Sequence, residues 1–517
     1  MEWIKKNKKN IILCLIFLLG FAIRLIAIDQ YPQGLNVDEA SAGYEAYSIL
    51  NYGMDRNGNR LPVFLVAWGS GQNALYSYIL IPFIKILGLS IFSIRLPMAL
   101  IGCISLIIMY KMLKNIADEK TAIIGTGFFA ICPWHIMKSR WGLESNLFPD
   151  IILLSVYTLI CARKSNKNYL LYLAFAIAGT SAYAYGTSYF FLPIFIVPML
   201  IYFIKKKEIT IKQAIISLGV VCIVSLPIII FVIINKFDLP QISLPFVTIP
   251  RIYENRFEEL SSIFSTDFIK NSLINFKDSI KMLITQNDGL PWNSVQGYGI
   301  IYPFSILFVI IGIYQSFKKK KGYNTIINFW FISAFLLLFV CEPNINRCNI
   351  IIIPMIYYAI VGICKVIEKN KILETIIIAF YLVEFVLFSY EYRSMDYSKY
   401  STFQDNIEEV IDYVEKAKVD NIYMEYSFKE PYIYVLFYAK KDVNEFINTV
   451  EYFNQERYGF DNVKSFGKYK FYLPQNIDKN ENAGYIVPIN EEINIENEKF
   501  KITEFKEFKV IEKVEEE

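Results

Sequence analysis

Apolar runs near residues 11–28, 92–113, 121–136, 147–163, 169–184, 187–204, 212–235, 299–317, 324–341, 349–366 and 372–389 punctuate the first three quarters of the chain. Each approaches the length a helix needs to cross a bilayer, so the pattern predicts a polytopic α-helical membrane protein with about eleven transmembrane helices. The polar stretches between them are mostly short; two, 29–91 and 235–298, are long. Beyond residue 390 the pattern changes. Ile407, Val410, Ile411 and Val414 recur at helical spacing after a candidate cap, Asp405. Ile502, Phe505, Phe508 and Val510 come closer to strand alternation. The expected organisation is a transmembrane domain over 1–390 followed by a soluble α/β domain over 391–517.

Composition agrees. Of 517 residues 54% are hydrophobic, with a mean hydropathy of +0.35, more apolar weight than a soluble domain carries. The first run follows the basic segment Met1–Asn10 and lacks a small-residue cleavage site, so it reads as an anchor. Basic clusters at Lys5–Lys9, Lys111–Lys120, Arg163–Lys167, Lys205–Lys207, Lys318–Lys321 and Lys365–Lys371 all fall on one side of an eleven-span path. By the positive-inside rule that side is cytoplasmic. The N-terminus is then cytoplasmic, and both long loops and the tail extracytoplasmic. A further crossing at Ala74–Leu89 would reverse the later loops, so this apolar stretch is expected to lie along, or dip into, the outer face.

From Glu391 onward 17 Lys and Arg face 27 Asp and Glu, so the whole-chain charge of +3 leaves +13 on residues 1–390. An acidic tail suits neither nucleic acid nor anionic lipid. The eight cysteines lack paired metal-ligand spacing and read as buried membrane cysteines, with a Cys341–Cys348 disulfide disfavoured. His135 is the sole histidine, which excludes an HExxH site. At the end of an apolar run, it suits an interfacial anchor as well as a site residue.

The informative residues are charges at the outer face. Asp38 and Glu39 are adjacent in a surrounding of small and apolar residues, where nothing about stability asks for the pair; the plainer reading is a solvated loop with a helix cap at Asp38. Glu144 lies between the third and fourth spans, four residues after Arg140, a spacing that also makes an ordinary helical ion pair. Asp150 falls inside the next span, where a carboxylate must face the bundle interior. Arg347 stands outside, against the positive-inside trend. A bound phosphate would explain it, and so would a snorkelling side chain. Arg95 raises the same question.

In these residues the sequence resembles the GT-C glycosyltransferases, and within them the family 39-like group of protein O-mannosyltransferases and lipid A aminoarabinose transferases. The resemblance runs through Asp38-Glu39-Ala40, Gly43-Tyr44-x-Ala46-Tyr47 and Gly53-x-Asp55-x-x-Gly58. It continues over Tyr76 to Gly88, Arg95-Leu96-Pro97, Pro133-Trp134-His135, Ser139-Arg140 and Glu144-x-Asn146, and fades in the tail. It implies transfer of a sugar from a polyprenyl-phosphate donor to a glycan, lipid or protein acceptor at the extracytoplasmic face. Asp38 would be the catalytic base or an acceptor-orienting carboxylate, with Glu39 beside it and Glu144 as a second acidic site residue. Arg347, with Arg95 and Arg140 as further candidates, would face the donor phosphate. Such a reaction needs a carboxylate to take the acceptor proton and cations to meet the departing phosphate, in one inverting displacement. No cofactor is required outright; Asp38 and Glu144 could share a divalent cation, which takes several oxygen ligands. The alternative is a transporter or flippase of lipid-linked glycans, which should show repeated halves and broken mid-bilayer helices. Neither is visible.

Overall fold

The computed structural model describes residues 2–68, 71–252, 267–318, 322–397, 402–425, 429–453, 462–474, 481–491 and 500–513, with side chains from residue 7. It divides into two compact units. The first comprises Met1–Ile28, Arg95–Val232 and Asn255–Ser394; the second comprises Asp29–Ile94, Ile233–Glu254 and Met395–Glu517.

The first unit is helical. Among the described residues six helices are long and apolar enough to cross a membrane: Ile91–Ile116, Glu144–Ser165, Ser188–Lys205, Ile211–Lys236, Ile345–Ile367 and Lys371–Ser394. Helix Glu2–Leu25 matches the first expected span, and Ser305–Lys318 and Asn324–Leu337 are shorter apolar helices. By length and composition, six of the eleven expected spans are thus met among the described residues, and two of the others are interrupted helices. The run 121–136 is two helices, Glu119–Ala130 and Pro133–Ser139, because Pro133 cannot continue the first and opens the second. Likewise Asn168–Thr180 gives way to a 3₁₀ turn at Ser181–Tyr183. Of the basic cluster Lys318–Lys321, residues 319–321 lie outside the described residues.

Close packing in this unit depends on glycine. A Cβ on Gly312 would stand 1.9 Å from the Tyr358 carbonyl oxygen, and one on Gly362 would stand 2.0 Å from that of Phe308. Helices Ser305–Lys318 and Ile352–Ile367 therefore touch backbone to backbone, as small residues permit between membrane helices.

The second unit is built on the tail. Among the described residues seven strands form one sheet in the order Phe500–Glu504, Phe508–Lys513, Ala483–Pro488, Asn421–Met424, Tyr469–Lys470, Val463–Phe466, Glu451–Tyr452. The Asn421 strand runs parallel to both its neighbours and the other pairings are antiparallel. Helix Ile407–Lys416 buries Ile407, Val410, Ile411 and Val414, as their spacing predicts. Its N-cap is Asn406, however; Asp405 instead accepts from Gln33 and Lys506.

Residues 29–91, expected as a loop of the transmembrane domain, group with this tail together with residues 92–94. Strand Leu35–Asn36 pairs antiparallel with Phe403–Gln404, and helix Val37–Tyr52 packs on helix Pro431–Tyr438. Gly43 marks that contact: a Cβ there would come within 2.6 Å of Ile94 and 2.8 Å of Phe437. Tyr44 donates its hydroxyl to the Lys441 carbonyl at 2.9 Å. The run Ala74–Leu89 is helical over Leu75–Leu87.

Candidate active site

Helix Val37–Tyr52 starts at Asn36, whose side chain accepts the Asp38 backbone N–H at 2.9 Å. The Glu39 carboxylate accepts the Asn36 N–H at 3.2 Å, completing a capping box. The adjacent acids therefore have different circumstances. Glu39 is fully buried and holds the helix start. Asp38 is half-buried, receives the Gln72 side-chain amide at 3.2 Å, and sits in the first helical turn, where the backbone field favours negative charge. The helix cap expected at Asp38 is Asn36.

The tail fixes this turn from the other side. The Thr402 carbonyl accepts the Val37 N–H and the Asn36 side-chain amide, both at 3.1 Å. Tyr434 donates to the Leu35 carbonyl at 3.2 Å. Gln72, Thr402 and Tyr434 were not legible as site residues, because each acts through a contact far away in sequence.

About two turns further along, Glu45 and Arg56 form a buried pair. Glu45 accepts the Arg56 backbone N–H at 3.0 Å and faces its guanidinium at 3.3 Å. Arg56 also donates to Ser41 at 2.8 Å and lies over the Trp68 ring at 4.8 Å. Burial pushes the Glu45 carboxyl up to about 8, against the pull of Arg56. The turn that delivers Arg56 uses Asp55, whose carboxylate accepts the backbone N–H groups of Asn57 and Asn59 at 2.9 and 2.8 Å, and Gly58 at φ +80°. The Gly53-x-Asp55-x-x-Gly58 pattern is thus a folding device.

In the helical unit the segment bearing Glu144 is tied down at both ends. Lys138 pairs with Asp150 and donates to the Asn146 carbonyl at 3.3 Å; Ser105 donates to Asp150 at 2.8 Å. Asp150 is buried among these partners, which answers the cost of a carboxylate in a span. Glu144 opens the 3₁₀ turn Glu144–Asn146 and stays half-exposed. The Asn349 side chain donates to the Ser145 carbonyl at 2.8 Å, joining this turn to the segment of Arg347. Helical turn Ile345–Cys348, capped by the Asn344 side chain, presents Arg347, which donates to Glu342 at 2.5 Å. Tyr185 feels both charges: burial raises its phenol, Arg347 opposes that and Glu144 adds to it. Glu144 and Arg347, 203 positions apart in sequence, thus both act electrostatically on Tyr185, a residue sequence reasoning passed over.

Arg140 and Arg95 are placed otherwise. Arg140 donates to the carbonyls of Ile23, Ile26 and Ala27 at 2.7–2.9 Å, and Arg95 to Ile28 at 3.3 Å. Both serve the carbonyl groups left over where helix Glu2–Leu25 ends. Arg24 does the same for Phe129 and Ala130 at the end of helix Glu119–Ala130 and holds His135 Nδ1 at 2.6 Å. His135 is fully buried, neither an interfacial anchor nor at the surface. Cys341 and Cys348 are buried free thiols. Among the described residues no three His, Cys, Asp or Glu side chains gather as metal ligands.

The family model described as dolichyl-phosphate-mannose-protein mannosyltransferase matches residues 73–234, under a third of the chain. No curated protein matches. Among solved structures the chain is similar to the Archaeoglobus fulgidus oligosaccharyltransferase, at 11% identity and TM-score 0.52, over 85% of this chain and 64% of that one. It is also similar to ArnT from Cupriavidus metallidurans bound to undecaprenyl phosphate, at 9% identity and TM-score 0.53, over 84% of this chain and 87% of that one. The fold is that of the GT-C glycosyltransferases. At these identities the likeness is one of fold, and the chain spans about two thirds of the archaeal enzyme's length. An Archaeoglobus fulgidus oligosaccharyltransferase, AglB, to which the chain is similar at 13% identity and TM-score 0.52, has been seen with an inhibitory peptide and a dolichol-phosphate.

Proposed function

We propose that this protein transfers a sugar from a polyprenyl-phosphate donor to an acceptor hydroxyl at the extracytoplasmic face of the cell membrane, which it crosses about eleven times. Asp38 carries the reading. Of two adjacent carboxylates Glu39 is fully buried in the capping box, while Asp38 is partly exposed and held by Gln72 on a helix start braced by the tail. A braced, reachable carboxylate is what general-base chemistry requires. As the acceptor oxygen bonds to the anomeric carbon, its proton passes to Asp38 and the bond to the carrier phosphate breaks, inverting that centre. The resemblance gives Arg347 the charge left on the polyprenyl phosphate and Glu144 the place of a second acidic site residue. The fold of proteins solved with undecaprenyl phosphate and dolichol-phosphate supports a lipid carrier. A flippase finds no comparable support.

The test is a deletion strain whose polyprenyl-linked sugars are analysed by mass spectrometry. The unused donor should accumulate and should disappear on complementation with the wild type but not with Asp38→Asn. An unchanged lipid-linked pool would overturn the proposal.

A further inference from the structure

Helix Phe268–Thr285 lies within the second long loop, and its outward surface is not that of an ordinary solvated helix. Its inner face carries Ser272, Ser279, Met282 and Leu283. Outward, Ile269, Leu273 and Ile284 are 73%, 59% and 58% exposed and, at 100° per residue, fall on one stripe. Lys270, Lys277 and Lys281 are exposed on the adjoining stripe, with Asp278 at its far edge. None of these lysines has an ion-pair partner among the described residues.

The helix is seated where a membrane helix ends. Phe276 stacks on Phe339 with centroids 4.1 Å apart and meets Phe335 edge-on at 5.5 Å. Phe335 belongs to the apolar helix Asn324–Leu337. Just past the helix, Asp288 accepts the Ile345 N–H at 2.9 Å, at the start of the turn that bears Arg347.

We infer that Phe268–Thr285 is an interfacial helix that docks on anionic phospholipid headgroups: the apolar stripe enters the acyl boundary and the lysine stripe meets the phosphates. An apolar stripe beside a basic one is the pattern of helices that lie in the bilayer surface. Charge complementarity selects anionic over zwitterionic lipid, at roughly fivefold in affinity per lysine. Because the inner face holds the segment leading to Arg347, surface charge of the bilayer reaches that segment through one rigid element. The inference rests on the membrane reading and is independent of sugar transfer.

The test uses the purified full-length chain in nanodiscs of phosphatidylcholine, alone or with phosphatidylglycerol. In a background with the eight native cysteines replaced, nitroxide labels are placed by Leu273→Cys and, as an exposed control, Asn444→Cys. The label at 273 should collide more with oxygen than with an aqueous nickel chelate, and the label at 444 the reverse. Native mass spectrometry should show phosphatidylglycerol retained preferentially by the wild type, with that preference largely lost in Lys270→Gln/Lys277→Gln/Lys281→Gln. A label at 273 as accessible to the chelate as the control would overturn the inference and leave the stripe to a protein partner. A triple variant that keeps its phosphatidylglycerol preference would overturn it equally.

Discussion

The backbone of Asn36 and the carboxylate of Glu39 hold each other at 3.2 Å, and this bond distinguishes two acids that sequence alone leaves equivalent. Loss of either half of a capping box costs about 0.5–2 kcal/mol. Glu39→Ala, which removes the acceptor where Gln would keep one, should therefore lower thermal stability by at least that order while transfer persists. Asp38→Asn keeps shape and removes the base, so transfer should fall by about two to four orders of magnitude with the melting temperature little changed. Turnover and melting measured together on both variants decide the assignment. A reversed pattern would make Glu39 the base.

Arg347 should separate a phosphate ligand from a helix-end cation. It is partly exposed, paired with an exposed Glu342, and less committed to the backbone than Arg95 or Arg140. Lysine supplies charge but not the two-pronged geometry, so Arg347→Lys should keep partial activity and Arg347→Ala very little. The Ala variant should also bind isolated polyprenyl phosphate more weakly in nanodiscs. Equal affinities in all three proteins would remove Arg347 from the donor site.

Much of this was legible because lipid imposes long apolar runs and a tail must bury its own periodic face. Helices occupy every expected span, and Ile407, Val410, Ile411 and Val414 are buried as their spacing requires. The breaks at Pro133 and Ser181 were not read, since an apolar run hides a change of helix within it. Nor was it legible that residues 29–94 group with the tail. Their tie is a two-residue ladder, Leu35–Asn36 with Phe403–Gln404, joining positions nearly 370 apart, and no periodicity reports such a pairing. The arginines were ambiguous for a related reason: a buried guanidinium bound to helix-end carbonyls and one awaiting phosphate are the same letter.

Topology is testable at exposed positions of the second unit. If the six basic clusters are cytoplasmic, Asn57→Cys and Asn444→Cys, both exposed, should each react with an impermeant maleimide in intact cells lacking reactive native cysteines. Reaction only after lysis would reverse the orientation.

The Glu45–Arg56 pair predicts a pH dependence. Burial holds the Glu45 carboxyl near 8 in the folded protein against an ordinary value of 4.5, so between these values the folded state binds more protons than the unfolded. Stability contributed by the neutral acid is therefore full below about pH 4.5 and lost as pH rises towards 8, at up to about 1.4 kcal/mol per unit. Glu45→Gln should flatten that slope in thermal melts across the window, and an unchanged slope would mean that Arg56 keeps Glu45 ionised throughout.

The glycines of the helical unit make the sharpest contrast. At Gly362 a methyl group would press to 2.0 Å from the Phe308 carbonyl oxygen, a backbone atom that cannot rotate away. Two helices would have to separate, and overpacking of this kind costs typically 1–3 kcal/mol or more. Gly219 also sits inside a helix, Ile211–Lys236, but a Cβ there meets nothing within 4 Å. Replacing it removes backbone freedom without a clash, so Gly219→Ala should be neutral or stabilising by up to about 1 kcal/mol. Gly362→Ala should lower the detergent melting temperature measured by size-exclusion chromatography, and Gly312→Ala should do the same because its Cβ meets the Tyr358 carbonyl oxygen at 1.9 Å. Equal melting of the Gly219 and Gly362 variants would show that the two helices are not in backbone contact.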